Sequence, residues 1–420
     1  LLTELIAFFF AGIAAGIACG LLPGLHVNNV GVMMLSLAGI LNFPLVPFSV
    51  FLVSMATTQT FIDFIPSIFL GVPDEDTVLS MLPAHKLFLS GRAMEAIRIT
   101  GLASLYGTIA SLSLLPIAFL VVPAAKGLVK EAVVPLLVFV IIFMIMRERK
   151  FEKILWAIIV FSVSGYLGYT CFDLLSLSSS QVFLPLFSGM FGVSALLTGI
   201  FAKTAKATQD VTVDVTLSEK SLWRNSYLGA VGGLLVGILP AMSPSQIGIM
   251  FQEFGDLISG KKKQSGLGED GDETAMRKFM TIVGSLNTAD AMFSIFSLYL
   301  IGNPRSGTSV IIENLVGVLS LDLLFLLCGS MLAAGFLAYL AHIRLGLFFC
   351  KISNELDLKK LSFFGLVFVF SMVFWGAGPL GILIVLVSTA VGLIPQLTGV
   401  SRTHCMGCLI LPTLLFYLGL

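Results

Sequence analysis

Gly16-Ile17-Ala18-Cys19-Gly20-Leu21-Leu22-Pro23-Gly24-Leu25-His26-Val27-Asn28-Asn29-Val30-Gly31 begins as an apolar helix and then breaks it with Pro-Gly and a polar cluster. A second stretch, Gly233-Leu234-Leu235-Val236-Gly237-Ile238-Leu239-Pro240-Ala241-Met242-Ser243-Pro244-Ser245-Gln246-Ile247-Gly248, does the same in the other half of the chain. Backbone groups freed inside hydrocarbon find no water, so such breaks survive only where they are buried in protein or line a cavity. Matching breaks in two halves are the sequence sign of a transporter whose site lies at a repeat interface.

The composition agrees. Of 420 residues, 57% are hydrophobic and 11% charged, and the mean hydropathy is +1.01. These values exclude the soluble globular classes and fit a polytopic membrane protein. Lys plus Arg balance Asp plus Glu at 24 each, which argues against a nucleic-acid partner. The apolar run from Leu1 has no basic n-region, so no cleaved secretory signal is expected. Cys405 and Cys408 form one CxxC without a second pair, weak ground for metal or redox chemistry.

Apolar segments fall at 2–20, 23–41, 44–70, 93–121, 131–147, 152–169 and 181–202, then at 225–240, 241–256, 279–301, 316–343, 361–376, 378–395 and 404–420. The Pro23 and Pro240 breaks align at an offset of 217 positions, and the loops at Pro73 and Pro304 at 231. The difference falls in the charged, Gly-rich segment 260–275, a flexible loop whose acidic run lacks the ligand spacing of a Ca²⁺ site. The expected fold is an all-α polytopic membrane protein. It has two inverted repeats of about seven hydrophobic elements each, with Pro-broken or re-entrant helices meeting near the midplane. The first repeat covers 1–202, a linker 203–224, and the second repeat 225–420. Residues 209–216 alternate polar and apolar as a short strand would, or form a solvated tether.

Orientation follows from the basic residues. Arg147, Arg149, Lys150 and Lys153 crowd one connection, Lys261–Lys263 a second, and Arg344, Lys351, Lys359 and Lys360 a third. Placing these in the cytoplasm, with the linker, sets Pro73 on that side and Pro304 on the other, which inverts the halves. The expected location is the cell membrane.

The polar residues at the breaks are the candidate substrate site: Pro23, Gly24, His26, Asn28 and Asn29 in one half, Pro240, Ser243, Ser245 and Gln246 in the other. Freed helix N-termini there present N–H groups and partial positive charge to an anion. Arg305 adds a cation suited to a carboxylate or phosphate, or snorkels to the interface. Thr57, Thr58 and Asp63, with Asn287, Thr288 and Asp290, make a second layer in which Thr57 aligns with Thr288. Intramembrane acids are costly and tend to titrate or bind a coupling ion, here Na⁺ or H⁺, unless they merely hydrogen-bond a neighbouring helix. No cofactor is expected.

At Gly20-Leu21-Leu22-Pro23-Gly24-Leu25, Leu70-Gly71-Val72-Pro73, Met81-Leu82-Pro83-Ala84-His85-Lys86 and Gly91-Arg92-Ala93 the chain resembles the large membrane subunit of the tripartite tricarboxylate transporters, the TctA family. His26, Asn28 and Asn29 stand where small residues are expected, and Asp74, Glu75 and Asp76 replace a neutral stretch, as in a divergent, archaeal-type branch. The resemblance implies cation-coupled uptake of carboxylates with a small membrane subunit and a substrate-binding protein. A homodimer is compatible with it. The alternative is a lipid-phosphate (polyprenyl-phosphate) translocase, with Arg305 on the headgroup. An intramembrane enzyme is disfavoured: the four His are scattered, and neither Asp63 nor Asp290 sits in a Gly-x-Gly-Asp setting.

Overall fold

The computed structural model describes residues 2–22, 27, 30–31, 34–35, 43–71, 78–125, 129–146, 148, 150–174, 179–201, 208–238, 244, 247–248, 250–251, 273–302, 304, 306–355 and 358–419. Among them there is no strand. The helices are α1 (Leu2–Leu21), α2 (Leu45–Ile62), α3 (Phe64–Leu70), α4 (Val78–Leu89), α5 (Ala93–Ser113), α6 (Leu115–Ala125), α7 (Val129–Met146), α8 (Phe151–Tyr169), α9 (Ser179–Phe187) and α10 (Ser194–Phe201). They continue as α11 (Glu219–Ile238), α12 (Glu273–Ile301), α13 (Gly307–Val316), α14 (Leu321–Glu355), α15 (Leu358–Thr398) and α16 (Gly407–Leu418). Seven spans, one of them α2 and α3 together, are long and apolar enough to cross a membrane, and the bent pair α5–α6 makes an eighth.

Several breaks trace to proline. Pro116 offers no N–H to the Leu112 carbonyl, and α5 bends by 66° into α6 near Leu114, so the 93–121 segment is not one straight span. Pro66 withdraws the partner of the Ile62 carbonyl, which ends α2 and leaves Asp63 at the break before α3. In α15, Gly378 takes φ 64° and ψ −158°, outside helical space, immediately before Pro379. A Cβ on Gly381 would lie 2.9 Å from Val373, which a straight helix keeps more than a turn away. The two arms therefore fold back on each other, matching the two segments 361–376 and 378–395.

Close helix packing rests on small residues. On α1, Gly12, Gly16 and Gly20 meet Phe51, Ser54, Met55, Thr58 and Ile62 of α2, the two helices running parallel. On α11, Gly229, Gly233 and Gly237 meet Ile282, Ser285, Ala289 and Phe293 of α12, again in parallel. These glycines correspond at the offset of the Pro23 and Pro240 breaks. Their partners correspond at the offset of the Pro73 and Pro304 loops.

The long helices then cross between the halves. α2 packs on α14, and α12 on α5. α5 runs alongside α12, from Glu95 beside Arg277 to Gly107 beside Ser285. α2 and α12 oppose each other, with Asp63 facing Asn287 and Thr60 facing Thr288.

A second core forms from α7–α10 with the last helices. Ser164 of α8 donates to the His404 carbonyl at 3.2 Å, and Ser388 of α15 donates to the Pro185 carbonyl at 3.1 Å. Gly168 lies on the backbone of Cys408, and Gly392 on the backbone of Met190, so closely that a Cβ at either would overlap it. One interval separates Phe161 from Val385, Ser164 from Ser388 and Gly168 from Gly392. Gly168→Val and Gly392→Val are each expected to reduce the folded, monodisperse fraction after detergent extraction, because backbones must separate to admit the side chain. Wild-type thermal unfolding in both would show that these approaches are dispensable.

Residues 208–218 are neither strand nor loose tether. Gln209 is buried: its Oε1 accepts from Ala93 N (3.1 Å), its Nε2 donates to the Phe88 carbonyl (2.8 Å), and its backbone exchanges bonds with Asn354. Asp210 N donates to the Gly91 carbonyl at 2.9 Å. Thr216 donates through N and Oγ1 to Glu95, and Arg98 pairs with Asp214. Alternation in this segment alternates strap-side with solvent-side residues. Asp210 is exposed, and two bonds from Thr212 hold its carboxyl below the usual carboxylate range.

Candidate functional site

The α2/α12 crossing collects the polar second layer. Asn287 Nδ2 donates to Asp63 Oδ2 at 3.0 Å, and Thr60 Oγ1 stands 3.2 Å from Thr288 Oγ1. Thr60 also donates to the Thr57 carbonyl (2.9 Å), and Thr288 to the Gly284 carbonyl (3.3 Å). All five side chains are buried. The Thr57 and Thr58 hydroxyls are buried without a hydrogen-bond partner. In a dry interior such orphans are costly.

The two intramembrane acids differ. Asp63 is held by Asn287, and its carbonyl accepts from Ser67 at 3.1 Å. Asp290, one turn beyond Asn287, is only half-buried and makes no hydrogen bond or ion pair with the described residues. An unpaired carboxylate in a membrane span with some access to its surroundings suits a proton or a small cation.

The Pro-break residues Pro23, Gly24, His26, Asn28, Asn29, Pro240, Ser243, Ser245 and Gln246, and also Arg305, lie outside the described residues. Two neighbours are visible. Val27 is buried, and its N–H donates to Gln59 Oε1 at 3.3 Å, which docks part of the first break onto α2 beside Thr57 and Thr58. Beyond Pro304, Ser306 and Ser309 form a reciprocal cap on α13, and Ser294 of α12 bonds both hydroxyls at 2.8 and 3.0 Å. Thus Thr57, Thr58, Asp63, Asn287 and Thr288 come together, with Asp290 one turn away.

Two clusters were missed in sequence. Glu95 and Arg277, from α5 and α12, form a buried bidentate pair at 2.9 and 3.3 Å, flanked by Arg92 and Glu273. Here Arg92 of the Gly91-Arg92-Ala93 motif acquires a role, 2.8 Å from Glu95. Arg402 lies on a 3₁₀ turn, Arg402–Met406, as a lone cation between two apolar segments, and that isolation was the available signal. Cys405 and Cys408 are free and buried, and no group of three or more His, Cys, Asp or Glu among the described residues could hold a metal.

Apolar spans, a buried polar crossing inside them and an unpaired acid beside it define the class: a multi-pass membrane protein of transporter type. Comparison makes this specific. Residues 6–407 match the Tripartite tricarboxylate transporter TctA family, and the chain belongs to that family. It is also similar to the uncharacterized protein MJ1079 of Methanocaldococcus jannaschii, 27% identical over 422 residues and 98% of each chain. No solved structure matches it.

Proposed function

We propose that this protein is a secondary active transporter of a small organic anion of the di- or tricarboxylate class, driven by Na⁺ or H⁺ and working by alternating access in the cell membrane. The α2/α12 crossing carries the reading: it holds one tied acid, one unpaired acid and two unsatisfied hydroxyls inside apolar spans. Asp290 is the coupling residue, with Thr57, Thr58, Asn287 and Thr288 as its polar surroundings. The Pro-break residues and Arg305 take the substrate. As in a tripartite system, a small membrane subunit and a substrate-binding protein complete the assembly.

Alternating access fits two inverted repeats. The duplicated glycine stripes, the opposed α2 and α12, and the exchange of partners between halves all support that organisation. The strap, the Glu95 network and the 3₁₀ turn then share one face, assigned to the cytoplasm by Lys and Arg.

Thermal unfolding of the purified protein with carboxylates, with and without Na⁺ and at two pH values, tests the reading. Stabilisation by a carboxylate that Na⁺ or pH modulates is the expected result. Asn29→Ala and Gln246→Ala should each weaken it while leaving the unliganded protein folded. Stabilisation by a short-chain polyprenyl phosphate alone would replace this reading with a lipid-phosphate translocase.

A further inference from the structure

Arg402 is a buried-end cation without an anion. Its Nη1 is sealed from solvent and lacks a hydrogen-bond partner, and the side chain forms no ion pair with any described residue. The carboxylate in its neighbourhood is committed elsewhere: Glu148 Oε1 accepts from Ser401 N at 3.1 Å and faces His404 Nε2 at 3.1 Å. The turn is held firmly. Ser401 caps it, and Ser164 of α8 donates to the His404 carbonyl. A fixed scaffold that presents an unsatisfied guanidinium nitrogen is a preorganised anion receptor.

Its surroundings connect it to the crossing. Asp63, Ser67 and Gly71 recur every four residues and so share one face of α3, covering about 12 Å along the helix at 1.5 Å per residue. His85 and Leu196 pack against Gly71, where the chain turns with φ 61°. His85 Nδ1 is 2.8 Å from the Ile68 carbonyl. Burial and the nearby charge of Arg402 hold this imidazole below its usual range, against the bond to Ile68, so it is neutral at pH 7 and does not neutralise a bound anion further. A row of small and polar positions thus leads from the intramembrane acid to the unpaired arginine.

We propose that Arg402 grips a carboxylate of the transported anion, forming a binding position at the end of α3 separate from the Pro-break residues. This rests on the transport reading and names a residue that reading does not contain. A guanidinium fork matches a carboxylate through two parallel N–H···O bonds, whereas Lys offers a point charge.

The test is thermal unfolding of the full-length protein in nanodiscs, with citrate, succinate or inorganic phosphate at matched ionic strength. In the wild type a carboxylate raises the melting temperature. In R402Q that shift is lost, and R402K needs at least about tenfold more ligand. The unliganded variants discriminate further. Removing an unpaired buried charge should leave R402Q and the apolar R402M melting at or above the wild type. An undiminished carboxylate shift in R402Q overturns the proposal while leaving the transport reading intact. Unliganded R402Q and R402M that both melt lower than wild type make Arg402 structural and overturn it too. A shift in the wild type by phosphate alone, lost in R402Q, overturns the carboxylate assignment. No shift in the wild type with any carboxylate defeats the transport reading and this proposal with it.

Discussion

Glu95→Ala is expected to destabilise the protein by about 3–5 kcal/mol, the cost of leaving a buried charge without its partner. Glu95 is fully buried and the Arg277 side chain is 5% exposed, so water cannot replace the lost carboxylate. Two further effects add to it. The Thr216 amide and hydroxyl lose their acceptor, which loosens the strap, and Arg92 loses its closer partner. Glu273 stays 2.8 Å from Arg277, but it is largely exposed and screened by solvent, so it offsets only part of the loss. Glu95→Gln keeps the shape and some acceptors, and should cost less than half as much. Thermal unfolding with a denaturant series in detergent separates these variants. An alanine variant as stable as the wild type would mean that solvent reaches Arg277, contrary to this burial.

The sequence was legible where covalent chemistry acts locally. Pro23-Gly24 and Pro240 announce breaks without any knowledge of the fold, and Gly378-Pro379 divides two apolar segments that the structure folds into a hairpin. The Gly12, Gly16, Gly20 stripe and its counterpart are also readable, since small residues four apart make a helix face that accepts another helix. What could not be read is pairing across the chain. Nothing in the spacing joins Glu95 to Arg277 or Asn287 to Asp63, because both pairs depend on α5 and α2 meeting helices of the other half. The 209–216 segment shows the same limit: its alternation is real, but the surface it faces is made by helix ends remote in sequence.

That distinction decides which acid should matter for coupling. Asp63 and Asp290 look alike in sequence, each a carboxylate deep in apolar residues. Only Asp290 lacks a hydrogen-bond partner among the described residues. Asp63→Asn keeps an oxygen that can still accept from Asn287 Nδ2, so gradient-driven carboxylate uptake by proteoliposomes should survive it within a few-fold. Asp290→Asn removes the group that would carry the proton or Na⁺ and leaves no hydrogen bond to preserve. Uptake against a gradient should fall to background in this variant, a loss of at least about a hundredfold, or ~2.7 kcal/mol of driving interaction. Carboxylate binding without a gradient should persist, because the ligand contacts lie elsewhere. The contrast is what carries weight: loss in Asp290→Asn with retention in Asp63→Asn assigns coupling to the unpaired acid. The reverse pattern would move the coupling ion to the α2 break, where Pro66 leaves the Ile62 carbonyl free to join Asp63 as an oxygen ligand.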